Sequence, residues 1–409
     1  MANPALRANT WTVDGWYDQA VAGTTGGYNG VIGGELYTWG NNSGGILGHN
    51  NMSPSDYSSP RQVPGTTWSD INSGAPSNSS IAAKSDGTLW TWGSNQNGAL
   101  GQNQPGPSYR SSPVQVGTDT TWAALSDEDS FNTYKLAVGD TALAIKSDGT
   151  LWSWGAYKGT AQNNDTQYSS PTQVGTDTTW KSVAIANPGT TAGLKTDGTL
   201  WGWGDNNSGQ LGQNQASAQV SKISSPAQVP GTWSTFDCGE YVNGGIKTDG
   251  TLWMWGSNSR GELGQNDGTW QNRRSSPVQV PGTTWSKISV GEFQVAAIKT
   301  NGTFWSWGYN AKGQLGLNEA PNGQPGSYSS PTQVGTDTTW RDVNIQGAQS
   351  CFAVKTDGTL WSWGYNYKGR LGLNQGTPVS RSSPTQIGSQ TDVIRLGGGQ
   401  YNTMYIRNT

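Results

Sequence analysis

The amino-acid sequence predicts an all-β fold, a seven-bladed β-propeller closed by pairing of its N- and C-terminal strands, on three observations. A Leu-Trp-x-Trp-Gly element or a close form occurs seven times, a Ser-Ser-Pro element also occurs seven times, and the chain ends part-way through a unit whose missing strand stands near residue 36. The copies lie about 54 residues apart, close to the roughly 40 to 50 residues of a propeller blade. The 409 residues therefore read as an N-terminal arm over 1–30 and one repeat body over 31–409.

The first element is present as Leu36-Tyr-Thr-Trp39-Gly, Leu89-Trp-Thr-Trp92-Gly, Leu151-Trp-Ser-Trp154-Gly, Leu200-Trp-Gly-Trp203-Gly, Leu252-Trp-Met-Trp255-Gly, Phe304-Trp-Ser-Trp307-Gly and Leu360-Trp-Ser-Trp363-Gly. Side chains alternate along a strand, so Trp90 and Trp92 share one face while Leu89 and Thr91 share the other. Before most copies stands an apolar stretch and a turn, as in Gly245-Ile-Lys-Thr-Asp249-Gly250. Gly supplies the positive φ of a tight hairpin there. The second element ends at Pro60, Pro113, Pro171, Pro226, Pro277, Pro331 and Pro384, each with Val or Ile three residues later. At the C-terminus, the segment from Leu396 to Thr409 matches the unit that starts Val290-Gly-Glu-Phe-Gln-Val-Ala-Ala-Ile298-Lys-Thr and stops at the hairpin turn. Pairing with the strand near residue 36 completes that unit and covers both open edges.

Composition agrees. Hydrophobic residues are 32% and charged residues 12%, against 59 Gly and 22 Trp. Disordered chains are poor in aromatics and strongly charged, so a tryptophan core is expected. Burying one large aromatic contributes about 2 to 3 kcal/mol, and thirteen Trp lie in the repeated elements. A net charge of −3 argues against nucleic acid as partner, because phosphate binding needs clustered Lys and Arg. Cys238 and Cys351 are the only cysteines, too few for a disulfide framework. The start, Met1-Ala-Asn-Pro-Ala-Leu-Arg, lacks the pattern of a secretory signal, and membrane insertion is not expected.

The run Thr356-Asp-Gly-Thr-Leu-Trp-Ser-Trp-Gly364, with forms such as Tyr309-Asn-Ala-Lys-Gly-Gln-Leu-Gly316 after it, resembles the regulator of chromosome condensation repeat family over almost all of 31–409. The resemblance implies a seven-bladed propeller of four-stranded antiparallel blades. Members include a nucleotide-exchange factor for a small GTPase, a plant ultraviolet-B receptor, a β-lactamase inhibitor, and repeat proteins of bacteria and their viruses. They act by presenting a surface or by absorbing light. Trp233 and Trp285 lack a following Arg-His, which speaks against light sensing. The uniform Ser/Thr/Asn/Gln-rich repeats look most like the repeat proteins of bacterial viruses. The third unit departs from the pattern: it loses Gly-Gln-Leu-Gly after Trp154, and residues 123–136 insert Asp127-Glu-Asp129.

No enzyme activity, cofactor or metal is expected. Catalysis near neutral pH most often needs His; the single His49 stands in a loop with no triad around it. The acids at Asp86, Asp148, Asp197, Asp249 and Asp357 are turn formers. Binding belongs on variable loops over a rigid scaffold. The loops before Ser-Ser-Pro carry Tyr57, Tyr109, Arg110, Tyr168, Trp270, Arg273, Arg274, Tyr328 and Arg381, types enriched at interface hot spots. The arm adds Trp11, Trp16 and Tyr17 as an attachment element that also suits a homo-oligomer. The expected function is a non-enzymatic structural or binding protein of a bacteriophage virion, as surface decoration or tail or fibre component, contacting virion proteins or a host surface. The alternative is an intracellular, cytoplasmic protein-binding regulator such as a small-GTPase exchange factor.

Overall fold

The chain was analysed as a computed structural model that describes residues 33–408 apart from 53–55, 75–77, 105, 125–133, 157–158, 165, 187–188, 216–219, 269–271, 320–325, 348, 376–378 and 401. The arm residues Trp11, Trp16 and Tyr17 lie outside the described residues, as does Trp270.

The repeat begins with its hairpin. Gly87 takes φ 77°, and the Asp86 carboxylate accepts from the Thr88 amide at 3.0 Å and hydroxyl at 2.6 Å. The Thr88 hydroxyl in turn accepts from Trp90 Nε1 at 2.8 Å. The same Asp-Thr-Trp chain recurs at 148–152, 197–201, 249–253 and 357–361. These acids form turns, as their spacing predicts.

The strands follow as β1 (Gly34–Asn41), β2 (Asp56–Gly74), β3 (Ser79–Lys84), β4 (Leu89–Ser94) and β5 (Tyr109–Gln115). Five four-stranded antiparallel sheets come next. The first holds β6 (Leu136–Val138), β7 (Thr141–Ile145), β8 (Leu151–Gly155) and β9 (Tyr168–Gln173). The second holds β10 (Trp180–Ala186), β11 (Thr190–Lys195), β12 (Leu200–Asp205) and β13 (Lys222–Val229). The third holds β14 (Trp233–Cys238), β15 (Val242–Lys247), β16 (Leu252–Gly256) and β17 (Arg274–Val280). The fourth holds β18 (Trp285–Val290), β19 (Gln294–Lys299), β20 (Phe304–Tyr309) and β21 (Ser327–Gln333). The fifth holds β22 (Trp340–Gln346), β23 (Ser350–Lys355), β24 (Leu360–Tyr365) and β25 (Ser380–Gln386). Last come β26 (Val393–Gly398) and β27 (Asn402–Asn408), which join β1 to β5 in a seven-stranded sheet of order β26-β27-β1-β2-β3-β4-β5.

The expected closure is present: β1 runs antiparallel to β27 from Gly34 opposite Asn408 to Gly40 opposite Asn402. The long β2 pairs with β1 through Asp56 to Val63 and with β3 through Trp68 to Gly74. Around the axis, β2, β6, β10, β14, β18, β22 and β26 touch in that order, and β26 touches β2 again. The molecule is thus a closed all-β propeller.

The core lies between sheets. The second Trp of each element donates its Nε1–H to a carbonyl of the preceding unit: Trp92 to Ile46 at 2.7 Å, Trp154 to Ala99 at 2.8 Å, Trp203 to Gly159 at 2.8 Å, Trp255 to Gln210 at 2.7 Å, Trp307 to Glu262 at 2.7 Å, Trp363 to Gln314 at 2.9 Å, and Trp39 to Arg370 at 2.8 Å. Ser-Ser-Pro supplies a second tie, for Asn50 N–H donates to the Ser111 carbonyl at 2.7 Å and the Ser112 hydroxyl donates to Asn50 Oδ1 at 3.1 Å. Both sequence markers are therefore joints between neighbours. The third unit keeps its joint despite being two residues short: Gly159 receives Trp203, and Ala161 takes φ 57° where other units carry Gly.

Candidate protein-binding face

At one end of the axis the innermost strands run into Gly followed by a polar residue, as in Gly139-Asp140, Gly239-Glu240, Gly291-Glu292 and Gly399-Gln400. A Cβ on Gly74 would stand 2.0 Å from the Val138 carbonyl oxygen, and one on Gly239 2.2 Å from that of Gly291. Only glycine lets these turns crowd about the axis. They enclose a funnel of about 380 Å³ lined by Asp140, Glu240 and Glu292 and, among the described residues, by no Lys, Arg or His. Burial first, and then neighbouring Glu240, pushes the Glu292 carboxyl up to about 7. The Tyr241 phenol is pushed up to about 12, chiefly by its hydrogen bond to Glu240.

Outward from this mouth the side chains turn aromatic. Tyr241 and Phe293 stack at 6.3 Å, Phe293 meets Tyr309 edge-on at 6.4 Å, and the Arg260 guanidinium lies 5.0 Å from the Tyr309 ring. Further round, Lys312 lies 5.3 Å from the Tyr365 ring, which stacks on Tyr367 at 5.9 Å. Tyr367 is 40% exposed. Tyr and Arg over a rigid scaffold are the types that dominate binding energy at protein interfaces.

The loop residues expected from the sequence open on this same end. Gly74 pairs with Ser79, Ser79 with Gly93, and Gly93 with Arg110, so the register carries the mouth level out to the rim. Tyr57, Tyr168, Arg274, Tyr328 and Arg381 stand opposite Gly40, Gly155, Gly256, Gly308 and Gly364 in the same way. They form a circle, one in each of six units with Ile223 opposite Gly204 in the remaining one, and not a single patch. Several bond within their own loops: Tyr57 accepts from Asn51 at 3.0 Å, Tyr168 from Asn164 at 2.9 Å, Tyr328 donates to Glu319, and Arg110 donates to Gln104 at 3.0 Å. Tyr109, Arg273 and Arg274 are exposed. Sequence reasoning missed Glu240, Tyr241, Glu292 and Phe293, although the triplets Gly239-Glu-Tyr241 and Gly291-Glu-Phe293, 52 residues apart, were a signal.

Inside the axial channel, away from the funnel, the third unit's insertion returns. Tyr134 donates to the Leu396 carbonyl at 3.3 Å, accepts from Asn344 at 3.3 Å, and lies under Arg395 at 4.2 Å. The Lys135 amide donates to buried Asp70 at 2.9 Å, which also pairs with Arg395 at 3.0 Å. The insertion thus binds units far apart in sequence.

His49 Nε2 lies 2.9 Å from Thr38 Oγ1, the place that Gln102 Nε2 takes on Thr91 at 3.3 Å, so the histidine fills a repeat position. Burial pushes the Cys238 and Cys351 thiols up. Among the described residues no three His, Cys, Asp or Glu are grouped to hold a metal.

Residues 24–341 match the RCC1-like domain and 357–406 the regulator of chromosome condensation (RCC1) repeat. The RCC1 domain-containing protein RUG3, mitochondrial, of Arabidopsis thaliana is 27% identical over 75% of this chain and 68% of its own. Among solved structures, Prp20p from Saccharomyces cerevisiae, described with its binding to Gsp1p and histones, aligns at TM-score 0.77 and 20% identity over 93% of each chain. Human WBSCR16 aligns at 0.74 and 16% identity over 92% of this chain and all of its own.

Proposed function

The chain belongs to the RCC1-like domain family, and on that premise we propose that it is a seven-bladed, non-enzymatic propeller that docks a protein partner on its funnel face. The blade count follows from reading β2 as the outer strand of the closing blade up to Val63 and the inner strand of the next from Trp68. The observation that supports the docking face is the convergence, at one end of the axis, of the acidic funnel with the Tyr241-Phe293-Tyr309 and Tyr365-Tyr367 aromatics and their cations. A photo-crosslinking residue at Tyr367 or, as control, at exposed Thr196 on the opposite end tests it. One protein captured from Tyr367 alone, and lost in Glu240→Lys/Glu292→Lys at unchanged melting temperature, supports the reading; equal capture from both ends refutes it.

The finer form of this reading places the protein on a bacteriophage virion, held by residues 1–30, and rests on the uniform repeats and the Trp11, Trp16, Tyr17 arm. Light scattering of the whole chain and of a version lacking 1–30 tests the arm: a larger particle only for the whole chain is expected, and two monomers overturn it. Family membership favours a second reading, an exchange factor for a small GTPase, for which substoichiometric protein must speed release of labelled GDP.

A further inference from the structure

At the end of the blades opposite the funnel, each unit builds a cation clamp. Lys146 lies 5.1 Å from the Trp122 ring and 4.0 Å from that of Trp152. Lys195, between Trp180 and Trp201, and Lys355, between Trp340 and Trp361, are held alike. In these three the preceding turn reads Val-Gly-Thr-Asp-Thr-Thr-Trp, and its Asp closes on the ammonium: Asp119, Asp177 and Asp337 each lie 2.5 Å from their lysine. The closing blade does the same with other residues, for Arg407 sits 4.9 Å from the Tyr37 ring and pairs with Glu35 at 2.7 Å. Four clamps are filled by a carboxylate of the chain itself.

Among the described residues, three clamps have no such partner. Lys84 lies 4.8 and 4.2 Å from the Trp68 and Trp90 rings, Lys247 5.5 and 3.7 Å from Trp233 and Trp253, and Lys299 4.8 and 4.1 Å from Trp285 and Trp305. Their turns are shorter and carry Pro64-Gly65, Pro230-Gly231 and Pro281-Gly282 where the others place Gly-Thr-Asp. Asp86 and Asp249 act on Lys84 and Lys247 only through space, since each is bonded to its own turn threonine. At Lys299 even that position is an amide, Asn301.

The gap left by the short turn faces two donors. A Cβ built on Gly282 would lie 3.2 Å from Trp285 Nε1 and 3.8 Å from Lys299 Nζ; one on Gly65 would lie 3.1 Å from Trp68 Nε1. Trp68 and Trp285 are 1% and 2% exposed and their indole N–H groups have no acceptor among the described residues, an arrangement that costs free energy unless something accepts. The indoles of Trp122, Trp180 and Trp340 share that state, so it is the missing Asp, and not the indole alone, that distinguishes the open copies. At Lys84 the gap opens into a cavity of about 430 Å³ lined by Trp68, Lys84, Trp90, Asn50 and Pro64. A carboxylate has two oxygens, enough to bridge an ammonium and an indole N–H, and charge-assisted bonds of this kind are the stronger class.

We propose that the Lys84, Lys247 and Lys299 clamps are binding sites for carboxylates of an external ligand, which take the place that Asp119, Asp177 and Asp337 hold in the filled copies. The sites lie around one rim, so a ligand bearing several carboxylates engages more than one and gains by linkage. The inference stands apart from the funnel face and from any partner docked there.

The full chain labelled with ¹⁵N in its indole groups, titrated with sodium acetate against sodium chloride of equal ionic strength, tests the proposal. Acetate is expected to move the Trp68 and Trp285 N–H signals and leave those of Trp122, Trp180 and Trp340 in place, while at Lys247, where the Trp233 indole already donates to the Val229 carbonyl at 3.4 Å, the ammonium alone takes the carboxylate. Lys299→Gln abolishes the shift at Trp285 alone, and Asp119→Asn makes Trp122 responsive. Equal shifts in all six copies, or the same response to acetamide, overturn it. Poly-aspartate and polygalacturonate separate a peptide from a polysaccharide source: the true class binds at least tenfold tighter than acetate, and tenfold gains by neither overturn the role as a ligand site.

Discussion

Replacing Asp70 by Asn tests how the ring is sealed. Asp70 on β2 and Arg395 on β26 are 0% and 2% exposed and 3.0 Å apart, across the junction where the last strands meet the first long one. The carboxylate also accepts from the Ile71 and Lys135 amides at 2.9 Å each. Removing one partner of a buried pair costs about 3 to 5 kcal/mol, because the remaining charge stays desolvated. Asp342 also acts on Arg395, which keeps part of the compensation and sets the expectation at the lower end, about 3 kcal/mol. The loss is local to the seam, so hydrogen exchange at β27 amides reads it as a fall in opening free energy, with β15 as the internal control. Asp70→Leu/Arg395→Met, which removes both charges, recovers most of the loss. A change under about 0.5 kcal/mol in Asp70→Asn, or a double variant worse than the single, refutes the reasoning.

Trp203→Phe removes the donor to the Gly159 carbonyl and leaves that oxygen unmatched in the core. It is expected to cost about 1 to 3 kcal/mol, seen as a lower urea midpoint. The Lys146 ammonium holds the Asp119 carboxyl down to about 2, and Lys195 does the same for Asp177, against an ordinary value of 3.8. A lowered folded value means stability that is present above about pH 4 and lost as pH falls toward 2. Asp119→Asn/Asp177→Asn therefore melts with a flatter slope between pH 4 and 2, and an unchanged slope rules the clamps out as the cause.

Much of the fold was legible because each marker does the same physical job wherever it recurs. Leu-Trp-x-Trp-Gly carries the Trp that bonds the preceding unit, Ser-Ser-Pro carries the serine that meets its Asn, and Asp-Gly-Thr makes the hairpin. Repetition exposes such jobs in the sequence itself. The closure between β1 and β27 was legible for the same reason, as an incomplete unit with its remainder at the other end. The candidate site was legible only in part. Tyr328 and Arg381 stand on the funnel end, yet loop composition says nothing of how far apart seven radial loops lie. The funnel itself arises from closing the ring: Glu240 and Glu292 are separated by a full unit in sequence and become neighbours only through β14 and β18.

In a molecule built from near-identical units, shared residues explain stability and departures carry individuality. The departures here are few. The third unit's insertion delivers Tyr134 into the axis, the acids at 240 and 292 stand where the closing blade has Gln400, and three turns drop the Asp that three equivalent turns supply for themselves. Each changes the charge or access of a site that the scaffold would otherwise close. A substitution that keeps the shared scaffold, such as Glu240→Gln, is therefore expected to leave stability intact while altering binding. A substitution that breaks it, such as Trp203→Phe, does the reverse. That opposition separates the scaffold from the binding surface by measurement, unit by unit, whatever the partner is.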